Sequence, residues 1–211
     1  MSSVVALDRL LDTRRVWRGQ AIIASSSSSA SQPTGHAALD AALPGGGWPD
    51  AALSEILSAA IGVGELRLLW PTLARLTASA ERVVLVEPPH IPYPHAWLAA
   101  GVDLRHLSIV RATGRDALWA VEQCLRSGCC AAVLCWPKQA DDRALRRLQV
   151  AAETGQTLAF AYRPLQEAAN PSPAALRLAV DAREVRVLKC RGGLAPARPI
   201  ATAAFAIGGG C

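Results

Sequence analysis

The stretch LSEILSAAIGVGELRLLWPTLARL, residues 53–76, leaves a chain few ways to fold. A short apolar run enters a Gly62-Val63-Gly64 turn, and Leu66, Leu69, Trp70, Leu73 and Leu76 then recur at helical spacing, as if facing a sheet. Strand, glycine turn and helix in that order is the layout of a phosphate loop, whose backbone N–H groups and helix N-terminus hold the phosphates of a nucleotide. In such a loop a Lys directly after the last Gly reaches the outer phosphates, and the Ser or Thr beside it holds Mg²⁺. This chain has Glu65 and Leu66 at those places. A carboxylate there repels a triphosphate and Leu cannot ligate a metal. Gly62, Gly64, Glu65 and Leu66 are therefore read as a degenerate phosphate loop, for which no cofactor is expected. Pro71 falls within the helical run, where an interior proline kinks a helix at a cost of about 3 kcal/mol.

The same alternation continues along the chain. Apolar runs at 82–87, 107–111, 129–136 and 157–162 read as strands, the first of them almost all Val and Leu, as suits a strand covered on both faces. Between them lie a short helix ending at Gly101, a helix over 116–126 with Asp116 as its N-cap and Gly128 past its end, and a helix opened by Asp141 and Asp142 and stopped by Gly155. The fold class is α/β, with a doubly wound, mostly parallel sheet. Residues 175–181 and 184–190 read as a hairpin added at the sheet edge. Around this core, 33–204, the chain carries an amphipathic N-terminal helix over 1–18, a Ser-rich linker over 19–32 and a glycine-rich tail over 205–211. Leu7, Leu10, Leu11 and Trp17 share one side of the N-terminal helix and are the candidate partner contact.

Composition narrows the function classes. A net charge of +5, nearly all of it from Arg, permits nucleic acid as a partner without requiring it. Arg143, Arg146 and Arg147 on one helix, with Arg163, are the candidate contacts to single-stranded DNA, which predicts a salt-dependent affinity. No apolar run approaches the roughly 20 residues that span a bilayer, and Asp8 and Asp12 break up the start as a signal peptide, so no membrane is expected and the cytoplasm is the expected compartment. The six Cys form no CxxC pair and stand at no ligand spacing with His, which suits reduced thiols and no metal; Cys129, Cys130 and Cys135 are placed in an apolar strand. His90 and His95 read as loop packing, and Trp48, Trp70, Trp97 and Trp119 as core or subunit contacts. Ser54 and Ser58 have neither a nucleophile-elbow context nor an evident base, so no catalytic residue emerges.

The order of motifs resembles the RecA recombinase core: Thr34-Gly35 with Leu39-Asp40, the GGG-Trp-Pro stretch, Glu55-Ile56, the degenerate loop, Glu87-Pro-Pro-His90, Gly101-Val-Asp103 and Ala144-Leu-Arg-Arg-Leu148. More narrowly, LPGGGWP, GELRLLWP, PPHIPYPHAW, LRSGCCAAVLCWP, RRLQVAAETG, SPAALRL and LKCRGG are similar to the ImuA family, RecA-like and SulA-related accessories of mutagenic translesion DNA synthesis. The resemblance spans about residues 17–200. It implies a RecA-like domain induced in the SOS response to DNA damage. Its partners would be the Y-family-like protein ImuB, a DnaE-type error-prone polymerase and RecA itself.

Where the chain departs from the RecA pattern, the resemblance implies lost catalysis. Pro89 stands where a catalytic Glu would activate water, Trp136 where an acid would position Mg²⁺, and Arg163 where a Gln would sense the γ phosphate. The segments matching the DNA-binding loops shrink to 137–140 and 164–172. The reading is a non-enzymatic scaffold of the translesion complex. Its rivals are a SulA-like inhibitor of cell division, which would bind the tubulin-like division protein, and an enzyme with an unusual but active nucleotide site.

Overall fold

The computed structural model describes residues 31–62, 64–137 and 140–201. The expected N-terminal helix with Leu7, Leu10, Leu11 and Trp17, most of the Ser-rich tract and the tail lie outside those residues. The last two residues of the expected linker do not hang free: β1 (Ser31–Gln32) pairs antiparallel with β2 (Trp48–Pro49), with α1 (Ala37–Ala42) between them.

The main sheet is built from β3 (Leu53–Ser58), β4 (Val83–Val86), β5 (Leu107–Val110), β6 (Ala132–Cys135), β7 (Leu158–Pro164), β8 (Leu176–Val180), β9 (Glu184–Cys190) and β10 (Ile200–Ala201). Its order is β10-β9-β8-β3-β7-β6-β4-β5. From β5 to β8 all neighbours run parallel, while β9 and β10 are antiparallel. The chain is thus a mixed α/β domain with a large, mostly parallel sheet. The expected C-terminal hairpin is β8 and β9, but β8 joins the parallel core directly against β3, so only β9 and β10 make the antiparallel margin.

Side chains alternate across each strand, so every apolar run feeds two cores. Ile56, Leu85, Leu134 and Phe160 face one side, against Leu39, Leu73, Leu76 and, on α3 (Pro94–Ala99), Trp97. Leu53, Val84, Val133 and Ala159 face the other, against α4 (Gly114–Arg126) and α5 (Asp142–Gly155) through Val121, Leu125, Leu145 and Leu148. Trp48 closes the first core, its indole donating to Thr72 Oγ1 at 2.8 Å and meeting the Phe160 ring edge-on at 5.1 Å.

Four local expectations are corrected. The helix after β3, α2 (Trp70–Ala78), starts later than the apolar spacing suggested, and Pro71 lies in its first turn, where a missing N–H costs no hydrogen bond. Residues 64–70 instead form successive turns, with N–H to carbonyl bonds from Arg67 to Gly64, Leu69 to Leu66 and Trp70 to Arg67. The N-cap of α4 is Thr113 rather than Asp116, which falls in the first turn. Gly155 does not stop α5 but ends it as a helical residue, because a Cβ there would stand 1.8 Å from the Leu125 carbonyl oxygen. Gln156 takes the left-handed conformation instead. Finally, Cys129 and Cys130 both precede β6, the first exposed and the second buried.

Candidate functional site

A cleft of about 320 Å³ opens at the carboxyl ends of the parallel strands, the edge of an open α/β sheet where ligands bind. Each of β3, β4, β6 and β7 delivers a short segment to it: Ala59 to Ile61, Glu87 to Pro89, Trp136 with Pro137, and Tyr162 to Pro164. Four of those residues are prolines, so the walls are stiff, apolar and poor in N–H donors.

Glu65 decides what the loop after β3 can hold. Its side chain is turned back on the loop, both carboxylate oxygens accepting the Gly62 N–H at 2.9 and 3.1 Å. Gly62 and Gly64 have φ values of +87° and +101°, the left-handed region where a Cβ is strained, and this lets the loop curl around the carboxylate. A loop N–H that would otherwise attract a bound anion is occupied by the chain's own anion. Glu65 is 3% exposed and makes no salt bridge among the described residues. Leu66 is half-buried and packs on the first core. Next to this loop His36 sits with Nε2 3.1 Å from the Leu68 carbonyl oxygen, and burial pulls its pKa below the ordinary histidine value.

Across the cleft, Glu87 has a left-handed backbone with φ of +48°. Its N–H donates to Val110 O at 2.8 Å and its carboxylate accepts from Ala112 N at 3.0 Å, which ties the end of β4 to the end of β5. Arg111 is exposed and donates weakly to Pro88 O at 3.4 Å. Trp136 stacks on Tyr162 with ring centroids 5.0 Å apart and planes 9° from parallel. The Tyr162 hydroxyl is buried, with no hydrogen-bond partner among the described residues. Burial, and then the nearby Glu65 carboxylate, push this phenol well above its ordinary pKa.

Arg163 belongs to a different structure. Glu55 on β3 is fully buried and accepts from Arg163 Nη1 on β7 at 2.8 Å and from Arg177 Nε on β8 at 2.7 Å. Arg163 Nη2 continues to the Ala140 carbonyl at 2.7 Å and to Glu167 at 3.0 Å. Arg177 Nη2 donates to Glu167 O at 2.7 Å, which fixes the 3₁₀ turn Leu165–Ala169 to the sheet. Arg163 is therefore not a surface cation, and the structure removes it from the candidate DNA contacts. The triad was not read from the sequence, although a signal was there: LSEIL, LAFAYRP and LRLAV each set one charge in an apolar run that has to be buried. Cys135, beside Arg163 and Glu55, has its thiol pushed up to about 12, chiefly by burial, which keeps it protonated and unreactive.

The other candidate cations stay on the surface of α5. Arg146 pairs with Asp142 of its own helix at 2.9 Å, and Arg147 pairs with Glu122 of α4, which also holds Arg126 at 3.0 Å. Arg143 is exposed, without an ion pair among the described residues. Of the tryptophans, Trp48 and Trp97 are core residues, whereas Trp119 is 61% exposed on α4. His90 and His95 are exposed, and among the described residues no group of three or more His, Cys, Asp or Glu is placed to hold a metal ion. No helix among those residues is long and apolar enough to cross a membrane.

No protein-family model matches the chain, and no curated protein matches it. Among solved structures, the crystal structure of SulA from Pseudomonas aeruginosa is similar at 29% sequence identity, covering 54% of this chain and 98% of that one. The TM-score is 0.46, an overlap too loose to establish a shared fold or function.

Proposed function

We propose that this domain is a non-catalytic RecA-like module that works by docking rather than by turning over nucleotide. The observation that carries the reading is the Glu65 carboxylate seated on the Gly62 N–H, at the place where a phosphate loop would receive its ligand. Holding a triphosphate would mean expelling that carboxylate and then tolerating its charge beside the phosphates. Pro89 and Trp136, at the places of the catalytic acids in the RecA pattern, offer no base and no metal ligand. Losing one such group already costs orders of magnitude in rate.

The finer assignment rests on the sequence resemblance to the ImuA family. In this reading the protein is an accessory of damage-induced translesion synthesis, assembling with an ImuB-type protein and a DnaE-type polymerase, and with RecA or single-stranded DNA as further contacts. A pull-down from DNA-damaged cells tests it: co-purification of the ImuB-type protein and the polymerase is the expected result. Recovery of the tubulin-like division protein in their place establishes the division-inhibitor reading instead.

A further inference from the structure

We propose that the cleft at the carboxyl ends of β3, β4, β6 and β7 receives a guanidinium group on an apolar stem, an arginine side chain presented by a protein partner. The inference rests on the docking reading above and gives that docking a chemistry. Its starting point is an imbalance. Glu65 is a buried carboxylate whose hydrogen bonding is a single shared N–H, against roughly four lone-pair sites that an ionised carboxylate offers. Among the described residues no cation pairs with it. A buried charge in that condition is costly, and a counter-charge that also hydrogen-bonds its free lone pairs offsets that cost.

The remaining features select the visitor. Tyr162, lining the same cleft, holds a buried hydroxyl with no partner, within electrostatic range of Glu65. Glu87 adds a second carboxylate to the lining. Of the two arginines there, Arg163 is matched by Glu55 and Glu167, and Arg111 is exposed, so among the described residues the interior of the cleft carries unmatched negative charge. An anion is disfavoured by that balance and a cation favoured. The walls of Ile61, Pro88 and Pro164 suit a methylene stem, and the stacked Trp136 and Tyr162 rings suit a planar guanidinium better than a compact ammonium. A volume of about 320 Å³ admits one long side chain but not a folded segment.

The test is calorimetric titration of the full chain with N-acetyl-arginine amide, with its neutral isostere N-acetyl-citrulline amide, and with MgATP. Expected is saturable binding of the arginine probe with a dissociation constant on the order of 1 mM. The citrulline probe and the Glu65→Gln variant should each weaken it by roughly tenfold, and Tyr162→Phe by several-fold. Should Glu65→Gln fail to fold, the citrulline probe and Tyr162→Phe, which removes one unpaired atom, decide alone. Absence of saturable arginine binding, or equal binding of arginine and citrulline, overturns the inference and leaves the docking reading standing. Saturable MgATP binding that the arginine probe does not displace overturns both.

Discussion

Glu55 and Glu65 are buried acids of the same βα unit, and they are satisfied in different ways. Glu55 receives two arginines from the two strands beside its own, and the carbonyls of 140 and 167 take up guanidinium donors. Glu65 receives one backbone N–H. The difference separates structure from site. A carboxylate whose charge is matched within the chain fixes register among three strands and has nothing left to offer a ligand. One whose charge is unmatched, at the mouth of a cleft, is poised to meet something from outside.

The sharpest way to break the comparison is to remove each charge in turn. Glu55→Gln leaves Arg163 only Glu167 as an acidic partner and takes the carboxylate from Arg177, and should cost about 3–5 kcal/mol, read as a lower urea midpoint. A cost below about 1 kcal/mol would mean that the triad is wet or loosely held. A smaller effect is expected from acid. Burial lowers the His36 pKa below its ordinary value of 6.5, so the unfolded chain binds this proton more readily than the folded one. The stability His36 contributes is then complete above pH 6.5 and drains away as pH falls through the lowered folded value. A melting temperature that falls between pH 7.5 and 5.5, by less in His36→Gln, is the expected result; identical pH profiles would contradict it. Glu65→Gln should shift stability by less than about 1 kcal/mol in either direction, since an amide oxygen still accepts the Gly62 N–H and a buried charge is gone. Tyr162→Phe should leave stability unchanged or raise it by up to about 1 kcal/mol, because the lost hydroxyl has no partner. A clear loss in that variant would reveal a hydrogen bond that the folded chain makes there.

Much of the sheet was legible because its strands are short, apolar and regularly interrupted: residues 82–87 and 107–111 predict β4 and β5 to within a residue or two at each end. Helix starts were harder. Apolar spacing through Leu66 and Leu69 continues into a set of turns that bury the same side chains without helical hydrogen bonds, so periodicity alone placed the start of α2 too early. Gly155 reads as a stop by its residue type, yet its role comes from the approach of Leu125, which lies far off in sequence. At the site, the substitution of Glu for Lys was plain, but the direction of its carboxylate was not. Read in sequence it faces an incoming phosphate; in the fold it faces the loop's own N–H. Arg163 looked like a surface cation for the same reason: its partner Glu55 sits on another strand, and only the pairing of β3 with β7 brings them together.

The central claim, that the loop after β3 is filled by its own carboxylate and holds no nucleotide, is tested most directly by titrating the full chain with fluorescently labelled ATP and Mg²⁺. The account predicts no saturable binding through the low millimolar range. Micromolar binding that a Gly64→Asp substitution abolishes would contradict it.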